Sequence, residues 1–128
     1  MSETLLKHAV PVAFLYGADR QKMIDFYCGT LGYALKSADE HGDFIDLGPA
    51  LVRLTIFPDY KAGQFPVFGW HVADIDADVR RFAALGIAFL RYDFLEQDEQ
   101  GVWTAPDGKA KVAWFNDVEG NLLSLSQG

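Results

Sequence analysis

Arg53, Tyr16 and His71 are the residues of this chain best suited to act on a bound molecule. An arginine on the inward side of a strand can bind a carboxylate, phosphate or enolate oxygen through its planar fork of donors. A tyrosine and a histidine can orient a ligand or move a proton, the histidine because it titrates near neutral pH. These three are the candidates for catalysis. The candidate ligand-binding set adds Phe14, Trp103, Trp114 and Ser124, with Trp70 and Phe115 as further aromatic surface, since small-molecule pockets favour aromatic walls with a few polar groups. Each residue also has a plainer use. Arg53 can pair with a structural carboxylate such as Asp43 or Asp46, His71 can close a hydrogen bond at a strand end, and any one of the aromatics can pack in a core. Cys28 lies beside Phe26 and Tyr27 with no histidine motif nearby and reads as a packing residue. The chain has no Gly-x-Ser-x-Gly elbow, phosphate loop or dinucleotide fingerprint, so covalent hydrolysis and nucleotide use are unsupported.

The elements that must position these residues follow from periodicity. Residues 8–16 alternate as a strand, with Val10, Val12, Phe14 and Tyr16 on one face and Ala9, Pro11, Ala13 and Leu15 on the other. Pro11 cannot donate to a ladder, which leaves one edge of that strand locally unpaired. Asp19 is a good N-cap for a helix carrying Met23, Phe26, Tyr27 and Leu31, and Gly32 ends it. Strands follow at 33–36, 43–47 and 51–57. In the last of these Val52, Leu54 and Ile56 suit a face packed under helices, which puts Arg53 and Thr55 on the opposite face. The same alternation places Leu123 and Leu125 under helices and Ser124 and Ser126 opposite.

The order then repeats. Val12 to Asp19 is echoed by Val67 to Asp74 at an offset of 55, and Leu31-Gly32-Tyr33-Ala34-Leu35 by Leu85-Gly86-Ile87-Ala88-Phe89 at an offset of 54. The second copy predicts a strand over 67–72, a helix after Asp74 or Asp76 with Val79, Phe82 and Ala83 on one face, a stop at Gly86, and strands over 87–91, 111–115 and 122–126. Residues 59–65 read as a linker. Leu51 and Arg53 correspond to Leu122 and Ser124 at an offset of 71, so the second copy carries 17 extra residues, roughly 92–110. That segment holds the acidic run 95–100 and the Pro106-Asp107-Gly108 turn, and it reads either as a lid or as a surface flap. Two βαβββ units of an α+β class result, about 8–58 and 66–127, in one domain of 128 residues, and two copies of one unit imply a shared cavity.

A net charge of −7 argues against the phosphate backbone of nucleic acid as partner and favours cationic small molecules. No stretch approaches the ~20 apolar residues of a spanning helix, and no signal segment leads the chain, so no membrane partner and a cytoplasmic location are expected. The single cysteine agrees with a reducing compartment.

The doubled βαβββ unit, the Asp-capped helix with Phe26-Tyr27 ending in Leu31-Gly32, and the Asp117-Val118-Glu119-Gly120-Asn121 lead into the final strand resemble the vicinal oxygen chelate superfamily. Its members include glyoxalase I, extradiol dioxygenases, fosfomycin resistance proteins and bleomycin resistance proteins. The resemblance implies mixed sheets curling around a concave pocket and a homodimeric assembly. It also implies where a divalent metal would be held: on the first and last strands of each unit, at positions occupied here by Val12, Arg53, Val67 and Ser124. Two valines without donor atoms, a permanent cation and a serine are a poor ligand set. His8, Tyr16 and His71 are the displaced ligands to consider, and no register assembles three good donors. The expected function is therefore a metal-free small-molecule-binding protein of the bleomycin resistance type, with no cofactor. The alternatives are a glyoxalase-like lyase, isomerase or dioxygenase with an unconventional divalent metal site, an Arg53/His71-based metal-independent catalyst, or a domain that mainly binds another protein.

Overall fold

The computed structural model describes residues 4–128, which form two compact units divided between Pro58 and Asp59. In the first unit β1 (Val12–Gly17) is followed by a helix that begins as α1 (Arg20–Ile24) and continues as a π-helix over Asp25–Thr30. Then come β2 (Ala34–Asp39), β3 (Gly42–Asp46) and β4 (Leu51–Ile56). The sheet order is β1-β4-β3-β2, with β1 parallel to β4 and the other pairs antiparallel. Asp19 caps the helix as predicted, its carboxylate accepting from Lys22 N at 3.1 Å. Met23, Phe26 and Tyr27 from the helix are buried with Leu15, Ile45, Val52 and Leu54 from the sheet, and these apolar side chains make the core of the unit. The strand expected over 8–16 starts only at Val12. Pro11 has no N–H to give, but its carbonyl accepts from Leu51 N at 2.9 Å, which opens the ladder at that point.

In the second unit β5 (Phe68–His71) leads through the N-cap Asp74 into α2 (Ile75–Ala84), followed by β6 (Trp103–Thr104), β7 (Lys111–Asn116) and β8 (Leu122–Gln127). The order β5-β8-β7-β6 and the pairing senses repeat those of the first sheet. Under α2, Phe115 is fully buried, with the rings of Phe82, Phe89 and Trp70 centred 5.4, 5.5 and 6.2 Å from its own. Trp70 and Phe115 thus belong to the helix side of the sheet and are not pocket aromatics.

Register makes the duplication exact at the strands. Phe14 pairs Arg53 and Arg53 pairs Phe44; the equivalent rung is Gly69, Ser124 and Trp114. Tyr16 pairs Thr55 as His71 pairs Ser126. The expected strand over 87–91 shrinks to one bridge, Phe89 to Phe115, and β6 supplies the rest of that edge. The edge strand is therefore in two pieces, and the 17 extra residues are not one loop. Equivalent pairings are offset by 54 at Leu35 and Phe89, 64 at Asp39 and Trp103, 70 at Gly42 and Val112, and 71 at Arg53 and Ser124. Ten residues interrupt the edge strand, six lengthen the β6–β7 hairpin, and one lies between β7 and β8.

Candidate functional site

Opposite its helix, the first sheet presents Val12, Phe14 and Tyr16 from β1, Arg53 and Thr55 from β4, and Phe44 from β3, which is the split that alternation predicts. Arg53 occupies the centre of a rung with phenylalanines on both neighbouring strands. Its guanidinium carbon lies 4.8 Å from the Phe44 ring centroid, a cation–π contact. Its Nη2 donates to Asp39 Oδ1 at 2.8 Å. The arginine side chain is only 12% exposed while that of Asp39 is 52% exposed. The partner is therefore neither Asp43 nor Asp46. Asp43 faces the helix side and is claimed by Arg20, whose Nε and Nη2 donate to its two carboxylate oxygens at 3.0 and 2.8 Å. Asp46 accepts from Gly48 N in the turn before β4.

Asp39 does three jobs with one oxygen. Oδ1 accepts from Arg53 Nη2 and from the backbone N–H groups of His41 and Gly42, so the carboxylate ties the β2–β3 turn to the arginine two strands away. The Arg53 hydrogen bond, followed by the one from His41, holds the Asp39 carboxyl down to about 2, against an ordinary value of 3.8. A depressed carboxyl pKa contributes stability above the unfolded value, and the contribution is lost as pH falls through the folded one. The pair is thus fully formed above pH ~4 and dissolves towards pH ~2. A carboxyl-carbon NMR titration will place the Asp39 midpoint near 2 in the wild type and higher in Arg53→Met, where the His41 and Gly42 N–H groups still hold it below the ordinary 3.8. A wild-type midpoint at the ordinary value would contradict this account.

The corresponding face of the second sheet carries His71, Val112, Trp114, Ser124 and Ser126. Trp114 and Ser124 are register partners, and Trp103 lies 6.4 Å from Trp114 between ring centroids. Tyr92 packs edge-on against Trp114 at 5.6 Å and Phe94 against Tyr92 at 5.3 Å, which completes a row of four aromatic rings. Tyr92 and Phe94 escaped the sequence reading because they sit in the extra segment, where no strand periodicity marks a face. They line a cleft of about 430 Å³ with Leu90, Asn116, Leu122 and Gly63-Gln64. His71 is exposed, with Nδ1 3.3 Å from Ser126 Oγ. Among the described residues it has no carboxylate partner.

The extra segment is held together by its own hydrogen bonds. Gln97 accepts from Tyr92 N at 2.8 Å and donates to the carbonyls of Leu90 and Gly101 at 2.9 and 2.7 Å. The Asp98 carboxylate accepts from Gln100 N and Val102 N, both at 2.9 Å, and Val102 is buried. Asp98 therefore serves the loop, and Glu96 and Glu99 remain of the acidic run as exposed charges. The Asp117–Asn121 lead is likewise structural: Asp117 accepts from Glu119 N, Asn121 N and Asn121 Nδ2, and Tyr60 Oη donates to Asn121 Oδ1. Burial, then the charges of Asp117 and Glu119, push the Tyr60 phenol up. Cys28 is half-buried and burial pushes its thiol up, which suits packing and not nucleophilic chemistry.

The sequence model of the Glyoxalase/Bleomycin resistance protein/Dioxygenase superfamily matches residues 6–125, and the chain belongs to that family. Among solved structures, a glyoxalase family protein from Enterococcus faecalis is similar at 19% identity and a TM-score of 0.72, covering 96% of this chain and 99% of its own. A fosfomycin resistance protein from Listeria monocytogenes matches at 13% identity and 0.71 over 94% and 93%. An antibiotic-binding protein from a Streptomyces species, strain CB03234, matches at 24% identity and 0.68 over 98% of both chains. No curated protein matches the sequence. These likenesses establish the fold.

The family's metal positions, carried onto Val12 and Arg53 in one unit and Val67 and Ser124 in the other, do not fit a divalent cation. The valines offer no lone pair, and Arg53 is a cation already engaged with Asp39. Among the described residues, no three His, Cys, Asp or Glu side chains are grouped to hold a metal ion. No helix among them is long and apolar enough to cross a membrane.

Proposed function

We propose that this protein binds a small molecule without a metal, in the manner of the antibiotic-binding branch of its family, and acts as a cytoplasmic homodimer. The observation that carries the reading is Arg53, a fixed cation at a position where metal-dependent relatives present a ligand. Phe14, Tyr16 and Arg53 form the binding surface of the first unit. Trp103, Trp114, Ser124 and His71 form that of the second. Their aromatic character suits a flat apolar ligand, and the kinship of fold with an antibiotic-binding protein and a fosfomycin resistance protein agrees with a small molecule as the ligand. Dimerisation has support in β1, a sheet-edge strand beside which Val10, Val12 and Phe14 are exposed. Catalysis by Arg53 with His71 has less support, since His71 meets the Ser126 hydroxyl and forms no carboxylate pair among the described residues.

The reading is tested with protein purified without chelators. Elemental analysis will find no stoichiometric zinc, nickel, manganese or iron, and calorimetric titration with zinc will show no site tighter than about 10 μM. One bound metal ion per chain would overturn it.

A further inference from the structure

Arg53 Nη1 is buried and has no hydrogen-bond partner among the described residues. A native chain rarely leaves such a donor unsatisfied, because a buried N–H without an acceptor forfeits the hydrogen bond it made to water. The other terminal nitrogen is taken by Asp39, and the face of the guanidinium is covered by Phe44. We propose that Nη1 is the anchor for the ligand, and that the ligand presents to it a single uncharged acceptor oxygen on a flat aromatic framework: an aryl ketone or similar carbonyl compound, not a carboxylate, phosphate or amine.

This inference rests on the metal-free binding reading and narrows its ligand class. Three observations exclude the anionic alternatives. A carboxylate or phosphate binds arginine best as a bidentate partner, and here the fork is half-occupied by Asp39. The Asp39 carboxylate stays ionised throughout the neutral range and already compensates the arginine charge, so an added anion would meet a neutral pair. The chain as a whole carries −7, which disfavours anions further. An ammonium group has no acceptor for Nη1 and would face the guanidinium as a like charge. A flat ring is favoured because Arg53 lies between Phe14 and Phe44 on adjacent strands. Phe14 is 59% exposed and can swing aside to admit it.

Four probes of one tricyclic shape separate these cases: fluorenone, fluorene, fluorenecarboxylate and aminofluorene, each titrated calorimetrically into the full chain. Fluorenone is expected to bind about tenfold tighter than fluorene, the difference made by one hydrogen bond from a charged donor. In Arg53→Met the ratio collapses to within about twofold. Arg53→Lys, which keeps the charge but loses Nη1, collapses it as well and serves where the methionine variant melts early. In Asp39→Asn the uncompensated arginine raises fluorenecarboxylate affinity about tenfold. Equal binding of fluorenone and fluorene, a wild-type preference for the carboxylate or the amine, a preference that survives both Arg53 variants, or no binding by any probe would overturn the inference. A stoichiometric metal would instead overturn the reading on which it rests, and elemental analysis reports that separately.

Discussion

Arg20→Met will lower the unfolding free energy by about 3 kcal/mol, because it strands a buried carboxylate. Asp43 is 2% exposed, on the helix side of β3, and its two oxygens are held by Arg20 Nε and Nη2. The same Nη2 also donates to the carbonyls of Asp39 and Gly42, at 2.7 and 3.0 Å. One side chain therefore fastens the first helix to the β2–β3 hairpin and neutralises its only buried charge. Removing the cation costs more than the pair itself contributes, since the anion stays desolvated without a partner. Arg20 is partly open to solvent, which keeps the loss near the lower end of the range for buried pairs. Urea denaturation measures it. The double variant Arg20→Met, Asp43→Asn should recover about 1 kcal/mol of the loss, and a single-variant loss below about 1 kcal/mol would show that the pair is merely a surface contact. Because Asp39 sits on the same hairpin, Arg20→Met also loosens the carboxylate that positions Arg53.

Phe115→Ala will cost the second unit about 4 kcal/mol. The ring is fully buried and is ringed by Phe82 of α2, Phe89 of the broken edge strand and Trp70 of β5. Three separate elements lean on it, and none can close the gap without leaving its own contacts, so the cavity term adds to the lost transfer free energy. Phe115→Leu, which retains most of the volume, should cost about 1.5 kcal/mol. Thermal and urea unfolding of both variants give the comparison; equal losses for Ala and Leu would mean that ring stacking, and not volume, holds this core.

Much of this architecture could be read from residue order. The two N-caps, Asp19 and Asp74, the glycine stops and the burial split of β4 and β8 are local signals, and local signals survive in one sequence. The face on which Arg53 lies was legible for the same reason: alternation has a period of two, and its apolar neighbours declare the other face. Its partner was not. Asp43 and Asp46 lie on the adjacent strand, but Arg53 reaches across that strand to Asp39, and the choice depends on the curl of a hairpin that Asp39 itself shapes. Gln97 was equally silent, because a glutamine that bonds three backbone groups looks like any polar loop residue until the loop is folded. The broken edge strand misled the reading for a physical reason too. Residues 87–91 have strand composition, yet the ten-residue interruption leaves only Phe89 in ladder geometry.

The wide turns of the first helix explain a small arithmetic oddity of the duplication. Asp19 and Asp74 stand 55 apart, while Gly32 and Gly86 stand 54 apart, so the first helix must span the same cap-to-stop interval with one residue more. The π-helix over Asp25–Thr30, closed by Leu31 N donating to Phe26 O at 2.9 Å, takes up that residue as extra girth instead of extra length. Both caps keep their stations, and Met23, Phe26 and Tyr27 still meet the sheet. The two repeats thus differ by one residue of chain length that shows as a bulge in circumference, with both stops in equivalent places.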